Sequence, residues 1–229
     1  MTKIMARVCR LGQIDYGEAW NLQKALAEAR ANGQIPDTLL LLEHPPTYTL
    51  GRRTDPAHLL VSRDTLREAG IAVVDVDRGG DITYHGPGQV VGYPVLSLEN
   101  RPGGAGRYLR QLEEVLMIAL EAFDVRACRR EKFTGVWVGD EKIAAIGIKI
   151  DVRRITQHGF AINVCTDLTA FSRIVPCGIR HAGVTSLARV LERPVSCREV
   201  MYHIEEAFGA VFGLTLTAIP PGCLLTGEA

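Results

Sequence analysis

The chain has 229 residues, 47% of them hydrophobic, and its 26 basic and 26 acidic side chains leave a formal net charge of zero. That is enough apolar material for one large domain or two small ones, and the charge balance supplies no whole-molecule field toward nucleic acid or an anionic membrane. No apolar run approaches the ~20 residues that span a bilayer, and residues 1–7 lack the apolar core of a secretion signal, so a cytoplasmic location is expected.

Residues 15–32 carry Tyr16, Ala19, Trp20, Leu22, Ala25, Leu26 and Ala29 at helical spacing, with Gly33 placed to close the helix. Residues 38–43 read as a buried strand that ends at His44-Pro45-Pro46, and residues 47–50 as a second short strand. Residues 62–69, closed by Gly70, predict a short surface helix. Strands follow at 71–76 and 90–95. A longer amphipathic helix over 106–123 runs through Leu109, Leu112, Leu116, Leu120 and Phe123. Residues 134–138 and 142–150 flank Gly139-Asp140-Glu141 as a hairpin, which sets Lys142 at the beginning of a strand. Ser196-Cys197-Arg198-Glu199 matches a capping box opening a helix to about residue 212, and residues 214–218 read as a last strand. Consecutive strands without intervening helices argue against a doubly wound sheet. The expectation is one α+β domain over 1–229, with mixed or antiparallel sheets flanked by helices, a core at about 15–190 and a terminal helix and strand at about 196–218.

Between the strands at 71–76 and 90–95 lies Arg78-Gly79-Gly80-Asp81-Ile82-Thr83-Tyr84-His85-Gly86-Pro87-Gly88-Gln89, whose glycines and proline exclude the interior of a helix or strand and predict a shaped loop. A long surface turn would have such a composition too, but rigid strands at both ends suit a binding loop. The cysteines Cys9, Cys128, Cys165, Cys177, Cys197 and Cys223 are dispersed with no Cys-x-x-Cys pair, which argues against a zinc ribbon or a redox dithiol. Cys177 stands between Pro176 and Gly178. Such a turn presents the sulfur and leaves backbone N–H groups free for an oxyanion, although a cysteine taken alone is ordinarily inert core. Lys142 taken alone is a solubilising hairpin charge. His44, His85 and His158 each lie near Gly or Pro, and none has a partner at metal-ligand spacing on its own element, which disfavours a metal.

Four motifs occur in order: Arg-Gly-Gly-x-x-Thr-x-His-x-x-Gly-Gln at 78–89, Lys-Ile-Ala-Ala-Ile-Gly at 142–147, His-Gly-Phe-Ala-Ile-Asn at 158–163 and Pro-Cys-Gly-Ile at 176–179. Together they closely resemble the lipoyl (octanoyl) transferases, from about residue 15 through Glu43-His44-Pro45 and Gly51-Arg52-Arg53 to Ser186-Leu187. Roughly the last forty residues carry no motif of that family.

The resemblance implies a fold similar to the biotin and lipoate protein ligases and an acyltransferase that moves octanoyl from octanoyl-acyl carrier protein to a lysine of lipoyl domains, those of 2-oxoacid dehydrogenase complexes and the glycine cleavage H protein. It implies no cofactor, metal, nucleic acid or membrane partner. It also implies that Cys177 forms the acyl thioester and Lys142 tunes its pKa. The acyl site would be lined by Arg78, Gly79, Gly80, Asp81, Ile82, Thr83, Tyr84, His85, Ala145, Ile146, Gly147, Gly159, Phe160 and Ala161, with His44, Tyr93 and His158 in support. The competing readings are an ATP-dependent lipoate or biotin ligase, a cysteine hydrolase with His158 as base, and a non-catalytic lipoyl-domain binder.

Overall fold

The computed structural model describes residues 4–131, 133–176 and 183–226. A strand that the sequence did not announce, β1 (Ile4–Gln13), leads into α1 (Tyr16–Ala31), capped by the Asp15 carboxylate, which accepts from the amides of Gly17 and Glu18. Next, β2 (Thr38–Glu43) is buried on both faces: Leu39 and Leu41 enter one apolar cluster, Leu40 and Leu42 the other. Two-residue periodicity therefore splits a single leucine run between two cores.

After β3 (Thr47–Leu50), α2 (Arg63–Glu68) is capped by the Ser62 hydroxyl, and β4 (Ala72–Asp75) follows. The glycine-rich run is not one loop. Its middle forms β5 (Ile82–His85), a wholly buried strand antiparallel to β3, while its last residue opens β6 (Gln89–Val95). Ile82, Thr83, Tyr84 and His85 are four consecutive residues with side chains, and register against Thr47–Leu50 outweighs the flanking glycines. The small sheet has the order β4-β3-β5 and packs Tyr48, Tyr84 and Phe171 into its own cluster.

The remaining elements are α3 (Gly104–Glu121), β7 (Cys128–Arg130), β8 (Phe133–Val138), β9 (Glu141–Ile150), β10 (Thr156–Asn163), the short α4 (Leu187–Leu191), α5 (Cys197–Phe212) and β11 (Leu214–Ala218). Among the described residues the large sheet runs β11-β1-β2-β6-β10-β9-β8-β7. The β11–β1 and β1–β2 pairs are parallel and the others antiparallel, so the chain is a mixed α+β domain and not a doubly wound one. Buried residues of α3 and α5 share one cluster with the sheet, and those of α1 share the other. The hairpin, Lys142's place in β9, and the terminal helix and strand stand as expected. The capping box does not form: among the described residues Ser196 makes no side-chain cap to α5.

Candidate active site

Three strands build a floor of small residues. Gly147 of β9 stands opposite Gly159 of β10, Ala145 opposite Ala161, and Phe160 opposite Gly92 of β6. A methyl group on Gly159 would lie 2.2 Å from the Gly92 carbonyl oxygen, and one on Gly147 would lie 3.0 Å from both Arg78 Cδ and the Gly79 carbonyl oxygen. Gly159 lets β6 approach β10 closely, and Gly147 lets the backbone of 78–80 come down onto the sheet, where the Gly79 amide donates to the Ile148 carbonyl at 2.8 Å. Above the floor lies a cavity of about 500 Å³ whose apolar wall includes Val91, Leu109, Phe133, Ile146, Ile148 and Phe160. That size falls within the ~300–1,000 Å³ of small-molecule sites.

The motif residues converge on this cavity. Arg78, Gly79, Gly80, Asp81, Ile82, Thr83, His85, Lys142, Ala145, Ile146, Gly147, His158, Gly159, Phe160, Ala161 and Tyr93 all line it. Tyr84 does not: strand alternation turns its ring toward Tyr48 and Phe171, at centroid distances of 5.2 and 5.6 Å. His44 stands behind the wall, its Nε2 2.7 Å from the Tyr93 hydroxyl. Sequence reasoning missed Tyr16 and Asp77. A hydroxyl on the buried stripe of α1 was the available signal for the former, whereas nothing local marks the latter.

Arg78 is buried and donates from Nη2 to the carbonyl and hydroxyl oxygens of Thr49 at 2.7 and 2.9 Å. The imidazoles nearby are neutral near pH 7. Burial pulls His44 down to about 4, against the bond that its Nδ1 donates to the Ile14 carbonyl. Burial likewise lowers His158 to about 4, partly offset by its bond to Asp77, and holds His85 well below the usual histidine range. Burial alone would raise the Asp77 carboxyl, but hydrogen bonds from Lys149 (2.6 Å) and His158 (2.8 Å) outweigh it and keep it low. His158 sits in the left-handed region at φ 56°, with its amide held by Gln23 Oε1 at 2.7 Å. Its Nε2 faces Asp77 and its Nδ1 the Tyr16 hydroxyl, pushed up to about 12 by burial, so both ring nitrogens are engaged.

Lys142 is buried at the start of β9, with Nζ donating to the Thr134 carbonyl at 3.1 Å and lying 4.9 Å from the Trp137 ring centroid. It is no solvated hairpin charge. The same side chain lines a second, small cavity together with Pro176, Val184, Gln89 and Asn163. Cys177 lies outside the described residues, but both of its described flanks are fixed. Val175 N donates to the His58 carbonyl at 2.8 Å, Lys142 N to the Gly183 carbonyl at 2.9 Å, and Thr185 N to the Lys142 carbonyl at 3.0 Å. Among the described residues no cluster of His, Cys, Asp and Glu could hold a metal ion, and no helix is long and apolar enough to cross a membrane.

The mixed α+β domain thus carries an apolar cavity of small-molecule size, with neutral imidazoles along one side and a buried lysine that also lines a second pocket. The chain belongs to the lipoyl protein ligase A/B catalytic domain family, which it matches over residues 15–209. It is 50% identical to the octanoyltransferase of Rubrobacter xylanophilus over 203 residues, 88% of this chain and 91% of that one. It is 46% identical to the octanoyltransferase of Chloroflexus aggregans over 209 residues, 90% and 95% of the two chains. Among solved structures, lipoate-protein ligase A bound with ATP superimposes with a TM-score of 0.75 at 19% identity, covering 97% of this chain and 93% of its own. The bi-partite lipoate protein ligase of Thermoplasma acidophilum gives 0.75 at 18%, over 97% and 91%. At those identities the likeness is one of fold. The family match runs about twenty residues beyond the last sequence motif, into α5.

Proposed function

We infer that this chain is an octanoyltransferase of protein lipoylation, taking its acyl group from an acyl carrier protein and delivering it to lipoyl domains. The relatives that carry this activity match nearly the whole chain, and the ligases match it only in fold, so the ATP-dependent reading is set aside. We further propose that the acyl group passes through a thioester on Cys177 with Lys142 as its partner. The observation that carries this reading is the shared small cavity: Pro176, the residue preceding Cys177, lines it together with Lys142, which also faces the acyl-sized cavity.

In the first half-reaction the Cys177 thiolate attacks the octanoyl carbonyl, a C–S bond forms to Cys177, and the carrier's pantetheine sulfur leaves and takes a proton from Lys142. In the second, the ε-amine of the acceptor lysine attacks that thioester, Lys142 accepts the amine proton, the C–S bond breaks with Cys177 leaving as the thiolate, and the acceptor carries the new amide. A free thiol of pKa ~8.5 is only about 3% ionised at pH 7; a neighbouring ammonium that lowers it by ~2 units makes most of it nucleophilic, worth ~2.7 kcal/mol. Arg78, Thr83 and His85 on one side and the Gly147–Gly159 floor on the other would hold the octanoyl chain and the head of the pantetheine arm. The lipoyl domains of 2-oxoacid dehydrogenase complexes and the glycine cleavage H protein are the proposed acceptors.

Incubating the chain with octanoyl-acyl carrier protein without ATP, followed by intact mass before and after neutral hydroxylamine, tests the reading. One octanoyl adduct, cleaved by hydroxylamine and lost in Cys177→Ser, is expected; an adduct that persists in Cys177→Ser would overturn it. The hydrolase alternative with His158 as base loses support from the ring's engagement by Asp77 and Tyr16.

A further inference from the structure

Two buried amides with no place in the chemistry above join its two halves. An arginine only donates, so the Nε and Nη2 groups of Arg78, 3.3 and 2.9 Å from the Thr49 hydroxyl oxygen, leave the Thr49 proton to point at His85 Nε2, 3.3 Å away. His85 Nδ1 faces Gln89 Oε1 at 2.8 Å and therefore carries the ring proton. The Gln89 amide has one sensible orientation, because its nitrogen lies between two acceptors, the Tyr84 carbonyl at 3.0 Å and Asn163 Oδ1 at 2.9 Å. That fixes Asn163 in turn, whose Nδ2 donates to the Thr185 carbonyl at 3.0 Å. Thr185 N then donates to the Lys142 carbonyl, also at 3.0 Å.

Every link points the same way, from the acyl cavity to Lys142. Thr49, Arg78, His85, Gln89, Asn163 and Thr185 are all buried, so a broken link finds little water to replace it. Gln89 and Asn163 are register partners where β6 begins and β10 ends, and both line the small cavity that holds Lys142 and Pro176.

We propose that Gln89 and Asn163 are positioning residues that transmit the placement of Arg78 and His85 to the Lys142–Thr185 contact, and so set Lys142 relative to the chain that carries Cys177. The proposal rests on the Cys177 thioester reading. Gln89→Glu accepts from His85 but no longer donates to Tyr84 and Asn163, and Asn163→Asp no longer donates to Thr185. Both keep the shape of the parent residue.

Single-turnover acylation of Cys177 by octanoyl-acyl carrier protein, read by intact mass, is the test. Each variant is expected to lose at least tenfold in maximal acylation rate, while the donor concentration at half-saturation stays within twofold and the folded fraction stays at the parent's. Thr49→Val, which removes the hydroxyl joining Arg78 to His85, is expected to behave likewise and carries the test if an amide variant fails to fold. Parent-like rates in the folded variants, or a loss that appears in half-saturation alone or only in proportion to lost folded protein, would overturn the proposal. The unsubstituted chain run alongside separates the two readings: no Cys177 thioester there overturns both, whereas normal acylation in parent and variants overturns this one alone.

Discussion

Gly147 and Gly159 face each other across β9 and β10, yet the space around them differs. At Gly159 a side chain meets the Gly92 carbonyl oxygen at 2.2 Å and Pro94 Cδ at 2.7 Å, groups that belong to the neighbouring strand and cannot yield. At Gly147 it meets the Arg78 side chain and the Gly79 carbonyl oxygen at 3.0 Å, which can give by a few tenths of an ångström.

The two glycines should therefore separate folding from acyl binding. Gly159→Ala should destabilise the fold by about 1–3 kcal/mol, the usual cost of overpacking a tight core. Gly147→Val should leave the melting temperature near the parent's, lift the 78–80 backbone from the sheet and raise the donor half-saturation of Cys177 acylation more than tenfold. Melting curves and single-turnover acylation on the two variants check both; normal acylation in Gly147→Val would remove that glycine from the site.

Lys142 should show a contrast between charge and proton transfer. Lys142→Ala should raise the apparent pKa of Cys177, measured by the pH dependence of iodoacetamide alkylation, and slow both half-reactions. Lys142→Arg should retain the depressed thiol pKa and still fail at transfer, since a guanidinium does not give up its proton near neutrality. If both variants alkylate and transfer like the parent, the lysine is structural.

Tyr84 belongs to a motif but faces the small sheet's own core, and its variants should report stability alone. Tyr84→Ala should cost about 3–5 kcal/mol, the range for removing a buried aromatic ring. Tyr84→Phe should acylate at the parent rate. A defect in acylation without one in melting temperature would mean that Tyr84 reaches the cavity.

Acid should loosen the fold through its histidines. His44 and His158 titrate near 4 when folded and near 6.5 when unfolded, and His85 is lowered as well, so the unfolded chain binds these protons first. The stability tied to their neutral forms is fully present above about pH 6.5 and is lost as pH falls toward 4, by about 3 kcal/mol for each of His44 and His158. Melting temperature should be level from pH 7.5 to 6.5 and fall steeply below; a level profile down to pH 4.5 would refute the assignment.

Local pattern carried much of this architecture. The leucine run of β2, the capped α1, the hairpin around Gly139 and the apolar faces of α3 and α5 are set by periodicity and turn chemistry within a few residues. β1 was missed because Arg7 reads as a surface residue, whereas it is buried with Nη1 donating to the Thr226 carbonyl at 2.6 Å, more than two hundred positions away. β10 was missed because His158 and Gly159 interrupt any strand pattern, and their distortion is held by Gln23, Asp77 and Tyr16 from distant elements. The site divides along the same line. Residue types and order marked the lining, while the assembly of His44, His85 and His158 beside Tyr16 and Tyr93 depends on strand crossings that no spacing within the chain encodes.

The position of β1 between β2 and β11 bears on how the chain is made. Ile4 pairs with Leu214 and Val8 with Ala218, so the amide edge of β1 stays open until the chain between the two strands, roughly 210 residues, has been synthesised. At ~5–20 residues per second that is ten seconds or more, during which a strand with exposed Ile4 and Met5 can pair with other chains. Completion of this edge of the sheet is thus deferred until β11 has emerged, and shortening the chain before β11 should leave that edge open permanently and raise the aggregated fraction detected by light scattering.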